Sequence, residues 1–111
     1  MMVSESEMNA YVDRFIDYLK STDEYRNYIR ASRNLDKSPE IKEQVDQFKK
    51  ENFFLQHSPE HEDIYDRVEE LRSKNEELLE RGDVSEYLMA EWEFFRMMQK
   101  INARLMDNMD F

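Results

Sequence analysis

Apolar residues recur along this chain every three or four positions, the period of a helix with one buried face. In a first segment, about Glu7 to Leu19, Val12, Phe15 and Leu19 are flanked by Met8, Tyr11 and Tyr18. A second, ending near Leu35, puts Tyr25, Tyr28, Ile29, Ser32 and Leu35 on one side. A third carries Ile41, Val45, Phe48, Asn52 and Leu55, and a fourth carries His61, Ile64, Val68, Leu71, Asn75 and Leu78. Both of these stripes are narrow seams of the coiled-coil kind. The last segment, about Val84 to Met109, is different. Ile101, Phe94, Tyr87, Leu105, Met98, Phe95, Leu88, Met106 and Trp92 cover roughly half its circumference at about 100° per residue. That is more apolar surface than one hairpin covers, so the pattern predicts the central helix of the fold, a dimer contact, or both.

The breaks between segments carry helix-start chemistry. Ser21, Thr22 and Asp23 offer N-cap side chains, with Glu24 placed for a capping box. "KSPE" offers Ser38 as a cap, Pro39 at the first helical position and Glu40 at the positive end of the dipole. "HSPEH" repeats that arrangement at Ser58, Pro59 and Glu60. The third and fourth segments, about 39–56 and 59–81, are therefore expected to form an antiparallel hairpin, with one long helix kinked at Pro59 as the alternative. Gly82 is expected at the C′ position closing the fourth helix, in the left-handed conformation. The predicted fold is all-α, a bundle of about five helices in a single domain over residues 1–111, with residues 1–6 outside the ordered fold. One glycine and two prolines leave too few turn positions for a sandwich or an α/β fold.

Charge narrows the partners. The net charge is −10 and acidic residues accompany the basic ones in every segment. Nucleic-acid binding needs a basic face that displaces counterions from phosphates. The densest basic run, with Arg26, Arg30 and Arg33, is too short to supply one, so no direct nucleic-acid partner is expected. The same balance disfavours anionic membranes. The acidic start "MMVSESEMNAYVDRF" has no apolar signal-peptide region, and no apolar run approaches the about 18 residues of a membrane span. The absence of cysteine agrees with a reducing compartment, and the expected location is cytoplasmic.

Catalytic and metal chemistry find little support. His57 and His61 are four apart, a zinc-like spacing on one helix, but Ser58 and Pro59 start a new helix between them. The Glu-x-x-His pairs of di-iron bundles are missing. Phosphate loops and nucleophile elbows need glycine-rich turns or strand-to-helix corners that this chain lacks. The chain reads as a non-enzyme with no catalytic, cofactor-binding or metal-binding residue and no cofactor. The candidate site is instead an interaction surface on the last helix: Met89, Glu91, Trp92, Phe94, Met97, Met98 and Asn102. Methionine suits adaptable partner surfaces. Met98 and Met106 read as core filling, and Met89 and Met97 as contacts with another chain. Glu91 and Asn102 interrupt the apolar stripe on one side, where a hydrogen bond across helices or a dimer axis would fix register.

Two stretches also resemble a known family. "EYRNYIRASRNLDKSPEIKEQVDQFKK" carries Tyr25, Tyr28, Ala31, Leu35, Pro39, Glu40 and Phe48, and "VSEYLMAEWEFFRMMQKINARL" carries Tyr87, Leu88, Ala90, Glu91, Ile101 and Asn102. Both are similar to the YlbF/YmcA family of small helical regulators from Gram-positive bacteria, over about Met8 to Leu105. The resemblance implies a cytoplasmic, non-catalytic, all-α protein that acts through protein contacts, as a homodimer or in a family hetero-complex. It implies a role in competence, sporulation, biofilm formation or messenger RNA processing. Relatives in a ternary complex are associated with iron–sulfur clusters held by cysteines. This chain has no cysteine to offer, and its "HSPEH" connection is shorter than those of many relatives. A second functional reading is a chaperone-like helical hairpin that holds client peptides on its Met/Phe surface.

Overall fold

The chain folds as six helices in a computed structural model that describes residues 2–57 and 63–109: α1 (Glu5–Lys20), α2 (Asp23–Asp36), α3 (Pro39–His57), α4 (Ile64–Lys74), α5 (Glu76–Glu80) and α6 (Gly82–Asp107). No strand occurs among the described residues, so the fold is all-α, with α6 as its long C-terminal helix. Helix α1 begins earlier than its apolar period suggests, reaching back into residues 1–6. Ser4 adopts an extended backbone and its hydroxyl accepts the Glu7 N–H at 3.1 Å, which satisfies one of the orphan donors of the first turn.

At the next junction the cap is Thr22. Its hydroxyl accepts the Tyr25 N–H at 3.2 Å and donates to the Leu19 carbonyl at 2.7 Å, closing one helix and opening the next with one side chain. The third position after that cap is Tyr25, so Glu24 is out of place for a capping box. Ser38 joins α2 to α3 through its backbone: its N–H donates to the Leu35 carbonyl at 3.0 Å and its carbonyl accepts from the Lys42 N–H at 2.9 Å. Lys42 also reaches back to Asp36 at 2.7 Å.

The predicted hairpin forms, with one change. Helix α3 packs against α4 and also against α5, which lies farther from the junction, so the chain must reverse between them. A single helix kinked at Pro59 could not make both contacts. The junction, with the cap reading of Ser58, Pro59, Glu60 and His61, lies outside the described residues. The expected helix over 59–81 is broken at Asn75 into α4 and α5. Asn75 sits at φ −109° and ψ 20°, away from helical values. Its side-chain amide donates to the Leu71 carbonyl at 2.8 Å, competing with the backbone ladder as asparagine does inside helices.

Gly82 overturns another expectation. No glycine has a positive φ, and Gly82 is the first residue of α6 instead of a left-handed cap. The break is made by Arg81, which is extended at φ −63° and ψ 134°. Arg81 then accepts the Ser85 N–H at 2.9 Å on its carbonyl and so opens α6.

The helices divide into two compact units, Ala31–Met89 and Met1–Arg30 with Ala90–Phe111. The first holds the core. Leu35, Val45, Phe48, Leu71, Leu78, Val84 and Tyr87 are buried there with Ala31. The Lys49 ammonium donates to the buried Tyr87 hydroxyl at 3.1 Å. In the second unit an aromatic cluster takes the place of an aliphatic core. Tyr28 stacks on Phe94 at 5.3 Å, Tyr25 meets the same ring edge-on at 5.9 Å, and Phe95 sits 5.8 Å from Phe94. Ala90 is the one buried apolar residue described in this unit, and α1 buries none.

Candidate interaction surface

Helix α6 positions every residue of the candidate surface, and its residues fall into three environments. Phe94 is half-buried against Tyr25 and Tyr28, so it supports the helix from behind. Glu91, Met97 and Met98 are half-buried as well. Trp92 and Asn102 face solvent, Trp92 at 57 % exposure. Met89 is also exposed, but it belongs to the other unit.

The sequence pattern missed the residues that accompany Trp92. Phe95, left unassigned within the apolar arc, and Met106, read as core filling, are 49 % and 47 % exposed. With Gln99 between them, Trp92, Phe95, Gln99, Asn102 and Met106 recur at alternating steps of three and four and are all exposed. That spacing is a coiled-coil seam facing solvent. The signal was present in the spacing, but the broad apolar arc of α6 contains two stripes. Ala90, Phe94 and Ile101 form the inward one and the Trp92–Met106 series the outward one. Met106 as core filling is thus corrected: it stays 47 % exposed, while the α2 tyrosines pack on Phe94 of the inward stripe.

The outward seam is framed by cations. The Arg96 guanidinium lies 5.1 Å from the Trp92 ring centroid, a cation–π distance. Lys100 and Arg104 continue the row at helical spacing. This local balance is opposite to the net charge of the whole chain. Asn102 and Gln99 put amides within an otherwise apolar strip, and such groups favour partners that return their hydrogen bonds.

Two other places bear on chemistry. His57 ends α3 with its Nδ1 2.9 Å from the Phe53 carbonyl and its ring stacked at 4.0 Å on Phe53. His61, the other member of that pair, lies outside the described residues. Among the described residues, no three of His, Cys, Asp or Glu gather as a metal site. In the Ala31–Met89 unit a shallow groove of about 520 Å³ has Leu79, Leu88 and Met89 as its apolar floor, with Arg72, Glu76 and Glu80 at its edge. It is open to solvent and holds no convergent polar groups of the kind that fix a small ligand.

At the start of α6, the Arg81 guanidinium hydrogen-bonds both oxygens of Asp83 at 3.1 Å. That bond is the main cause holding the Asp83 carboxyl below its ordinary value of 3.8, and the Val84 N–H, 2.9 Å from Oδ1, acts in the same direction. The arrangement is structural, anchoring the first turn of the helix that carries the surface.

No helix of the described residues is long and apolar enough to cross a membrane. Residues 10–110 match the model of a family described as control of competence regulator ComK, YlbF/YmcA. No curated protein and no solved structure matches the chain.

Proposed function

The chain belongs to the YlbF/YmcA family of control-of-competence regulators, and we propose that it is a non-catalytic adaptor acting through protein–protein contacts. The observation that carries this reading is the outward seam of α6. Trp92, Phe95 and Met106 stay about half exposed on a well-formed helix. Tryptophan and arginine in such a setting are the residue types that dominate protein interfaces. Phe94, Met97, Met98 and Glu91 hold the helix in place behind the seam, and Asn102 supplies its register. Met89, exposed beside the groove of the other unit, is a separate and secondary contact. The protein works in the cytoplasm, as a homodimer or a subunit of a small hetero-complex, in the control of competence, sporulation, biofilm formation or messenger RNA processing. Its net charge of −10 argues against direct contact with nucleic acid.

The test is capture of partners from the native host by wild-type chain, by Trp92→Ala and by Met97→Glu. Specific partners retained by the wild type and lost by Trp92→Ala are expected. Equal capture by all three, or none by any, contradicts the reading. The chaperone-like alternative has the exposed Phe95 in its favour, but Phe94, Met97 and Met98 are half-buried and leave little continuous client surface. Strong binding of a hydrophobic dye by the folded protein, undiminished by the family partner, would favour it.

A further inference from the structure

The basic run of α2 has no part in the α6 surface. Arg26, Arg30 and Arg33 stand at steps of four and three on one continuous helix, Asp23–Asp36. At about 100° per residue they fall within about 60° of arc and along about 10 Å of the axis. Ala31 and Leu35, the buried residues of α2, lie on the opposite side. All three arginines are exposed, as are Asn27 and Asn34 on one flank of the line. Lys37, also exposed, follows four residues on, just past the end of the helix.

The line has no counter-charge from its own helix. From Tyr25 to Leu35 the sequence contains no acidic residue, although the chain has 26 Asp and Glu. The neighbours of Arg30 at three and four residues are Arg26, Asn27, Arg33 and Asn34. Like charges at that spacing weaken a helix. Asp36, three residues after Arg33, is held by Lys42 at 2.7 Å. None of the three arginines makes an ion pair among the described residues. The spacing and the missing acids are properties of α2 itself.

We propose that this line docks an acidic helical segment of a protein partner. Carboxylates at steps of four and three on a second helix form a line of the same rise, so each guanidinium faces one in register. The planar fork of arginine takes a carboxylate through two parallel hydrogen bonds. Asn27 and Asn34, seven residues apart, add amides on the same flank. No large apolar side chain of α2 is exposed, so the contact is polar and serves to guide and register the partner. That same lack leaves nothing to insert into a bilayer. Three cations supply three phosphate contacts, against roughly six to ten in ordinary nucleic-acid binders, and a net charge of −10 repels the rest of a long polyanion. The inference goes beyond the α6 reading and stands with or without it.

The experiment uses the full chain and fluorescence anisotropy at about 50 mM salt, where surface charges are weakly screened. The probe is a dye-labelled synthetic helical peptide with a line of glutamates at steps of four and three. Its control has the same composition with the glutamates spread around the helix. The lined peptide should bind, and the control at least about fivefold more weakly. Arg30→Glu should weaken the lined peptide about five- to tenfold. Arg30→Lys, which keeps the charge and loses the fork, should weaken it about two- to threefold. The melting temperature of Arg30→Glu should equal or exceed that of the wild type, because two like-charge pairs are removed. Trp92→Ala should bind the peptide like the wild type. A single-stranded RNA oligonucleotide should bind at least about tenfold more weakly than the lined peptide. The inference is overturned if the wild type does not bind the lined peptide, if the control or the RNA binds as well, or if Arg30→Glu binds like the wild type. Loss of peptide binding with Trp92-dependent capture intact would sink the α2 line alone. Intact peptide binding with capture indifferent to Trp92 would sink the α6 reading alone.

Discussion

In the Ala31–Met89 unit, Val45 and Val84 retain 1 % and 0 % of their surface. In the Met1–Arg30 and Ala90–Phe111 unit, Phe15, Phe95 and Trp92 retain 41 %, 49 % and 57 %. Both units are helical and both are rich in apolar side chains. The first buries eight of the nine core residues, and the second buries only Ala90 among the described residues. Burial of one large apolar side chain is worth about 1.5–3 kcal/mol. The first unit draws its stability from its own chain. On the proposed function the second leaves apolar surface for association, while the rings of Tyr25, Tyr28, Phe94 and Phe95 pack together.

Substitutions in the two units should therefore separate stability from binding. The largest expected effect is in the buried unit. Leu78→Ala removes a side chain at 7 % exposure, and should cost about 2–5 kcal/mol in urea denaturation. A loss below about 1 kcal/mol would show that this core is not tightly packed.

Asp83→Ala should cost about 1 kcal/mol, through the lost hydrogen bond to the first turn and the lost charge at the helix N-terminus. Its sign with pH follows from the depressed carboxyl. The stabilisation is fully present above the ordinary value of 3.8 and disappears as pH falls through the lower folded value. Asp83→Asn should remove that part of the acid dependence, measured by thermal melts between neutral pH and strong acid.

Gly82→Ala should stabilise by about 0.5–1 kcal/mol, because the residue is helical, has no positive φ, and an added Cβ meets nothing within 4 Å. Destabilisation of that size would mean the left-handed cap is the true conformation. The smallest effect is expected at Trp92. Its replacement by alanine should change stability by less than about 0.5 kcal/mol, while abolishing partner capture. A large stability loss there would place Trp92 in a core and erase the contrast between the units.

The buried unit was largely legible from spacing. Val45, Phe48, Leu71 and Leu78 lie on the predicted seams and are buried, because a narrow stripe on a helix has one way to be covered, and Leu35 is buried on the apolar side of the second segment. Asn75 was legible as a seam position but not as a helix break, since the competition of its amide for the Leu71 carbonyl depends on local geometry. Gly82 was misread because glycine is permissive: it tolerates the left-handed cap without requiring it, and Arg81 made the turn. The candidate surface was half legible. The excess apolar arc on α6 pointed to a partner, and Trp92 and Asn102 are on the exposed side. Periodicity could not tell which part of that arc α2 would cover. Met106 was therefore read as core filling, and Phe95 was left unassigned within the arc.

The contrast between the units is tested most directly by amide hydrogen exchange, resolved by segment and measured across a range of protein concentrations. Exchange in α3 and α4 should be slow at every concentration. Exchange in the Ala90–Asp107 part of α6 should be fast in dilute protein and slow as association covers it. Protection of that part of α6 equal to that of α3, and independent of concentration, would contradict the account.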